Sequence, residues 1–397
     1  MEGVVDKILA SMSTVKKPQR IFIVLLLSAL VVVQGKANFR NMSRYSSMSE
    51  KRFSRWYRRG FDFAQFNTRL MFDQLSPESQ KIAAMDASFA SKSGKNTDGL
   101  GMFYHSSAGQ AEKGLEISLI SIIDLQSNTA YALDARQTID REGCSRVDLY
   151  VEQLTAIAPI LLEKGIRHTV VDSYYAKEKF VTGAKNAELE VVGKLRVDAH
   201  LRWLYSGDYS GRGRPKKYDG KVDYDKDLAR FESTGFIDED VEAYTGLVNC
   251  PRLNRTIRVV MLRIKTANKI GRALLYSTDT GLSAETIIAW YKARFQIEFV
   301  FRDAKQHTGL MDCQSCKKEA IHTHINASFT ALNILKLEDQ KHKGTQEPTV
   351  ISITSWKRRK FNIHLLDRFI QGLGLTREDK KVRSVYEEYI DYGAIAA

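Results

Sequence analysis

Acidic residues are in short supply: 47 Asp+Glu stand against 60 Lys+Arg, a formal charge of +13 in 397 residues. Such an excess of cations excludes a basic partner and points to a polyanion, either nucleic acid or an anionic membrane surface. Cysteine is scarce as well. Cys144, Cys250, Cys313 and Cys316 give no disulfide framework for a chain of this length and suit a reducing compartment. Cys313 and Cys316 form C-x-x-C ahead of His322 and His324, but the gap is far shorter than in zinc fingers and H-x-H is an unusual ligand pair, so zinc is not expected. There is no internal repeat and no low-complexity tract. No apolar run approaches the roughly 20 residues of a membrane-spanning helix.

The longest such run is Ile21–Val33, interrupted only by Ser28 and preceded by Lys16, Lys17 and Arg20. Two readings stand: the hydrophobic segment of a secretory signal, or a buried helix of an N-terminal helical module. The following segment favours the second, because it is basic and carries capping-type serines at Ser43, Ser47 and Ser49. The cations are clustered. RFSRWYRR (Arg52 to Arg59) interleaves arginine with aromatics, GRGRPKK (Gly211 to Lys217) mixes glycine with cations, and WKRRK (Trp356 to Lys360) is a third knot. Each alone is what a solvated face looks like; three in one basic chain favour nucleic acid. Arg212, Arg214 and Lys216 are candidate phosphate contacts of a flexible basic loop.

Along the chain, Gln80 to Ala90 is a short apolar run broken by Asp86. Gly114 to Gln137 reads as two strands joined by the turn signal Gln126-Ser127-Asn128. Cys144 to Ile166 is an amphipathic helix closed by Gly165. Ile166 to Ala176 is a short strand meeting its only acid at Asp172, and Ala187 to Arg196 another strand. This order predicts a mixed α/β sheet. Residues 197–283 are rich in glycine and tyrosine, with strands at Arg258–Ala267 and Gly271–Asp279, and read as a β-rich insertion. The expected division is 1–75, an all-helical DNA-binding domain; 76–196, the first part of a catalytic core; 197–283, the insertion; 284–340, the second part of the core; and 341–397, a helical tail.

Ala284 to Lys305 lacks Pro and Gly and predicts one helix ending near Gly309. At about 100° per residue, Tyr291, Arg294, Glu298 and Lys305 share one stripe bordered by Trp290, Phe301, Phe295 and Ile288. A partly solvated face with an Arg294–Glu298 pair at i,i+4 accounts for that stripe by itself. Asp86, Asp172 and Glu298 each stand against apolar sequence. Taken together, three carboxylates suit hard divalent cations, and two such ions support an in-line phosphoryl displacement.

Tyr291, Arg294, Glu298 and Lys305, spaced Y-x2-R-x3-E-x6-K, resemble the signature of the insertion-sequence-4 superfamily of DDE transposases, and Asp86 and Asp172 match its two strand aspartates. The resemblance covers roughly Lys81 to Leu310. It implies a ribonuclease-H-like mixed sheet flanked by helices, with Asp86, Asp172 and Glu298 holding two Mg2+ or Mn2+ ions. Also implied is cut-and-paste transposition by a homodimer acting on terminal inverted repeats and target DNA in the cytoplasm of a bacterial host, associated with the nucleoid when DNA-bound. Tyr291 and Arg294 would grip a phosphate beside a flipped base, Lys305 would contact DNA near the cut, and Trp203 is the candidate aromatic platform. A catalytically inactive or domesticated DNA-binding derivative is the alternative.

Overall fold

The computed structural model describes residues 2–209, 211, 213–266, 269–343 and 352–394. Five helices open the chain: α1 (Glu2–Ser11), α2 (Lys17–Val32), α3 (Phe39–Met42), α4 (Glu50–Trp56) and α5 (Phe63–Phe72). Strands β1 (Lys81–Ser91), β2 (Gly101–His105), β3 (Gln110–Asp124) and β4 (Thr129–Gln137) precede α6 (Arg146–Glu163), β5 (His168–Val170), α7 (Glu178–Asn186) and β6 (Glu190–Leu195). Then come β7 (Arg202–Leu204), β8 (Tyr218–Lys221), β9 (Glu232–Asp238), β10 (Val241–Cys250), β11 (Arg255–Thr266) and β12 (Lys269–Ser277). Helices α8 (Ala284–Ala293), α9 (Gln296–His307), α10 (Lys318–Lys343), α11 (Ile353–Gly372) and α12 (Lys380–Tyr389) complete a mixed α/β chain.

Two compact units divide these elements: Met1–Gln80 with Ala87–Ile139 and Gln296–Ala397, and Lys81–Asp86 with Asp140–Phe295. The expected boundaries differ from this division, because residues 1–75 and the C-terminal tail lie in one unit with β2, β3 and β4. In that unit the apolar run became α2, with Phe22, Ile23, Leu26, Leu27 and Leu30 buried and Pro18 in its first turn, where a missing N–H costs nothing. It packs on α10 and α11. Among the described residues no helix is long and apolar enough to cross a membrane.

Helix α10 is buried although its sequence is not strongly apolar, because its polar side chains complete the free edge of β4. Asn326 exchanges two hydrogen bonds with the backbone of Ala135 at 2.8 and 3.0 Å, and Asn333 does the same with Ala132 at 2.7 and 2.8 Å. Asn67 of α5 donates to Leu133 O at 3.1 Å, and Lys336 to Ala130 O at 3.1 Å. Buried backbone groups require partners, and here asparagine amides take the place of a neighbouring strand. Between β1 and β3 lies β2, paired antiparallel with β3.

The second unit carries a mixed sheet. β5 is parallel to β1 and to β6; β12, β11 and β10 continue antiparallel from β6, and β7 and β9 both pair with β10. The expected β-rich segment therefore extends this sheet beyond β6. Helix α6 begins with a capping box between Ser145 and Asp148, and Gly165, at φ +74°, closes it. Helix α8, capped by Ser283, lays Ile287, Ile288 and Trp290 toward β6, β10, β11 and β12.

Candidate active site

Asp86 is the sixth residue of β1 and half-buried, lying inside the strand where the sequence had placed it at the end of an apolar run. The parallel register sets Ala83 opposite Thr169 and Ala84 opposite Val170. Two residues further on both chains come Asp86 and Asp172. Asp172 leaves β5 as the cap of a short 3-10 turn, its Oδ1 accepting from Tyr174 N at 2.8 Å. Its Oδ2 accepts no hydrogen bond among the described residues. Asp86 thus lies inside β1 and Asp172 just past the end of its parallel neighbour β5, each two residues beyond the paired Ala84 and Val170.

Arg294 closes α8 and reaches back to this pair. Its Nη1 donates to Asp86 Oδ2 at 3.2 Å, with the two side chains only 13% and 20% exposed. An ion pair so shielded from water is stronger than a surface one. The guanidinium also lies 5.7 Å from the centre of the Tyr291 ring. Burial pushes the Tyr291 hydroxyl above its usual range, Arg294 opposing and Asp172 and Asp86 adding to the rise. Tyr291, Arg294, Asp86 and Asp172 therefore form one electrostatic group.

The single helix expected over Ala284–Lys305 is two. The chain turns at Arg294 and Phe295 between α8 and α9, so the stripe does not run along one helix. On α9 the apolar positions Ile297, Val300, Phe301 and Ala304 are buried at helical spacing, whereas Glu298 in the first turn is exposed and Phe295 is 49% exposed. An acid there interacts favourably with the helix N-terminus. Lys305, two turns on, is largely withdrawn from water and donates to Ser88 Oγ at 2.9 Å and Phe89 O at 2.8 Å, tying α9 to the end of β1; burial lowers its pKa.

Trp203 is 5% exposed, donates to Asp227 at 2.8 Å, meets Phe231 edge-on at 4.7 Å and carries Arg230 over its ring at 4.5 Å. That is the environment of a packed core tryptophan and not of an open stacking platform. Arg212 lies outside the described residues. Arg214 is exposed, and Lys216 pairs with Asp219 at 2.8 Å. Lys177 was missed: its Nζ sits 3.7 Å over the Tyr174 ring, and burial together with Arg252 holds its pKa down while Asp172 pulls it up. Its place five residues after Asp172 was the available signal; Arg252 had none.

Among the described residues no group of three or more His, Cys, Asp and Glu is gathered to hold a metal ion. The Cys313 to His324 segment is engaged otherwise: His324 Nε2 meets Gly309 O at 2.7 Å, and Thr97 Oγ1 donates to Cys316 Sγ at 3.5 Å. The donor chemistry of Asp86 and Asp172 nonetheless suits a hard cation, since both offer carboxylate oxygens and Asp172 keeps one uncommitted.

A mixed α/β chain with one aspartate inside β1 and a second capping the turn after its parallel neighbour β5 is the class of protein defined here. The family profile described as the transposase DDE domain matches residues 77–334, and the chain belongs to that family. No curated protein sequence matches it. Among solved structures, endonuclease V of Ciona intestinalis, in complex with a 24mer DNA containing an inosine followed by a ribo-adenosine, is 9% identical, covering 68% of this chain and 95% of that one with a TM-score of 0.25. The NurA nuclease from Sulfolobus solfataricus is 10% identical, covering 67% and 84% with a TM-score of 0.24. Likeness at that level carries no argument.

Proposed function

We propose that the protein is a cut-and-paste DNA transposase of the insertion-sequence-4 type with a ribonuclease-H-like core, in which Asp86, Asp172 and Glu298 are the metal-holding carboxylates. The observation that carries this reading is that Asp86 in β1 and Asp172, just past the end of the parallel strand β5, each follow the paired Ala84 and Val170 by two residues within a transposase DDE domain. Asp86 and Asp172 would hold Mg2+ or Mn2+, two ions in the family's usual scheme, with Glu298 the third ligand by resemblance. Bound there, such ions stabilise the attacking and leaving oxygens of an in-line phosphoryl displacement.

The chain's own groups have separate tasks. Arg294 balances the charge of Asp86 and, with Tyr291, offers donors to a DNA phosphate. Lys305 holds α9 against β1 and brings positive charge to the end of that strand. Arg214 and Lys216, with Arg212, supply phosphate contacts from the insertion. Terminal inverted repeats and target DNA are the substrates, and a homodimer is the acting form.

The test is cleavage of a duplex bearing the element's ends. Glu298→Gln is expected to abolish magnesium-dependent cleavage while end binding stays within a few-fold of the native chain; retained cleavage removes Glu298 from the reaction. The rival reading is a DNA-binding derivative that no longer turns over. DNA binding by the native chain without metal-dependent cleavage would decide for it.

A further inference from the structure

The unit that holds α2, α9 and α11 contains a cavity of about 610 Å3, lined by the loop after α2, the end of α9 and one face of α11. Its charged lining is lopsided: Lys36, Lys305, His307, Lys357 and Arg358 face a single acid, Asp312. That acid already accepts from Ala37 N at 2.8 Å. Close packing shapes the floor, because Gly309, at φ +76°, has Ala37 Cβ only 2.4 Å from where a side chain would begin.

Most cations of the Trp356–Lys360 knot are spent on the fold. Lys357 donates to Val33 O at 2.9 Å and to His307 O at 2.6 Å, Arg359 pairs with Asp391, and Lys360 pairs with Glu338. Arg358 is the exception. Its side chain, like that of Lys36 across the cavity, is exposed and has no hydrogen-bonded or ionic partner among the described residues. Burial lowers Lys357 to about 8 and draws Lys305 and His307 below their usual ranges, Asp312 opposing the shift at Lys357 and Asp303 that at His307.

We propose that this cavity is a phosphate-binding pocket in which Lys36 and Arg358 are the primary ligands and Lys357 supplies positive charge from below. Its natural occupant, resting on the transposase reading, is a backbone phosphate of a DNA strand; a free nucleotide or phosphate ion would use the same chemistry. Arginine and lysine side chains with unused donors suit phosphate oxygens on geometric as well as electrostatic grounds.

The full-length chain and its Lys36→Ala/Arg358→Ala variant are compared in two measurements. In the first, affinity for a labelled duplex is titrated across salt concentrations. Loss of one phosphate contact lowers the slope of log affinity against log salt by about 1, with affinity falling about tenfold at low salt; that result supports a DNA phosphate as occupant. In the second, thermal stabilisation by inorganic phosphate and by a deoxynucleoside monophosphate is recorded. If duplex binding is unchanged but this stabilisation is lost, the pocket takes a free phosphate. Two unaltered measurements overturn the pocket. If the native chain binds no duplex at all, the transposase reading fails separately, and the phosphate stabilisation alone judges the cavity. Both substituted residues are exposed, so the variant is expected to unfold at the native temperature.

Discussion

Arg294 Nη1 and Asp86 Oδ2 meet at 3.2 Å although 208 positions separate the two residues. The contact ties the end of α8 to the middle of β1 and gives the half-buried carboxylate a cation. Replacing Arg294 by Ala removes a charge-assisted hydrogen bond worth about 1.5–3 kcal/mol. Urea unfolding should show that loss, and Arg294→Lys should recover part of it, since the charge returns without the forked donors. An unchanged midpoint for Arg294→Ala would show that the pair contributes nothing to the fold.

Asn333 serves Ala132 as a substitute strand, bonding its N–H and its C=O together. Asn333→Leu leaves both of these buried groups unpaired, and each such group costs about 1–3 kcal/mol. We expect a loss of roughly 2–4 kcal/mol in chemical unfolding, with exchange of the Ala132 amide accelerated in hydrogen-exchange experiments. A variant as stable as the native chain would mean that β4 finds another partner.

Lys336 is fully buried, and burial lowers its pKa from 10.5 to about 8. The folded pKa is the lower one, so between pH 8 and 10.5 the unfolded chain binds the extra proton and stability rises with pH. Below pH 8 the folded chain carries a charge it would rather lose. Lys336→Met removes that dependence. The stability of the native chain relative to this variant should therefore rise between pH 8 and 10 by on the order of 2 kcal/mol, measured by urea unfolding at each pH. A flat difference would mean that Lys336 is hydrated in the folded chain.

Some of this molecule was legible in its residues alone. The hairpin of β3 and β4 followed from two apolar runs around Gln126-Ser127-Asn128, and α6 from an amphipathic period and Gly165; the structure has both. Asp86 and Asp172 stood out because each was the lone acid of an apolar run. Such signals act over about ten residues or fewer, where backbone sterics and side-chain periodicity decide the outcome.

What tertiary structure decided was partnership and exposure. Glu298 had shared one stripe with Tyr291, Arg294 and Lys305 on a single expected helix; a break at Arg294 and Phe295 gave α9 its own face, with Ile297, Val300 and Phe301 inward and Glu298 outward. Trp203 had looked like a platform, and Phe231 and Arg230 cover it. Asn326 and Asn333, unremarked in the sequence, complete the edge of β4. For Trp203, Asn326 and Asn333 the deciding partner belongs to another element of the chain. Local sequence states what a residue can bond or bury; only the assembled chain supplies the partner, because the energy of a buried charge or amide depends on which group the fold brings to it.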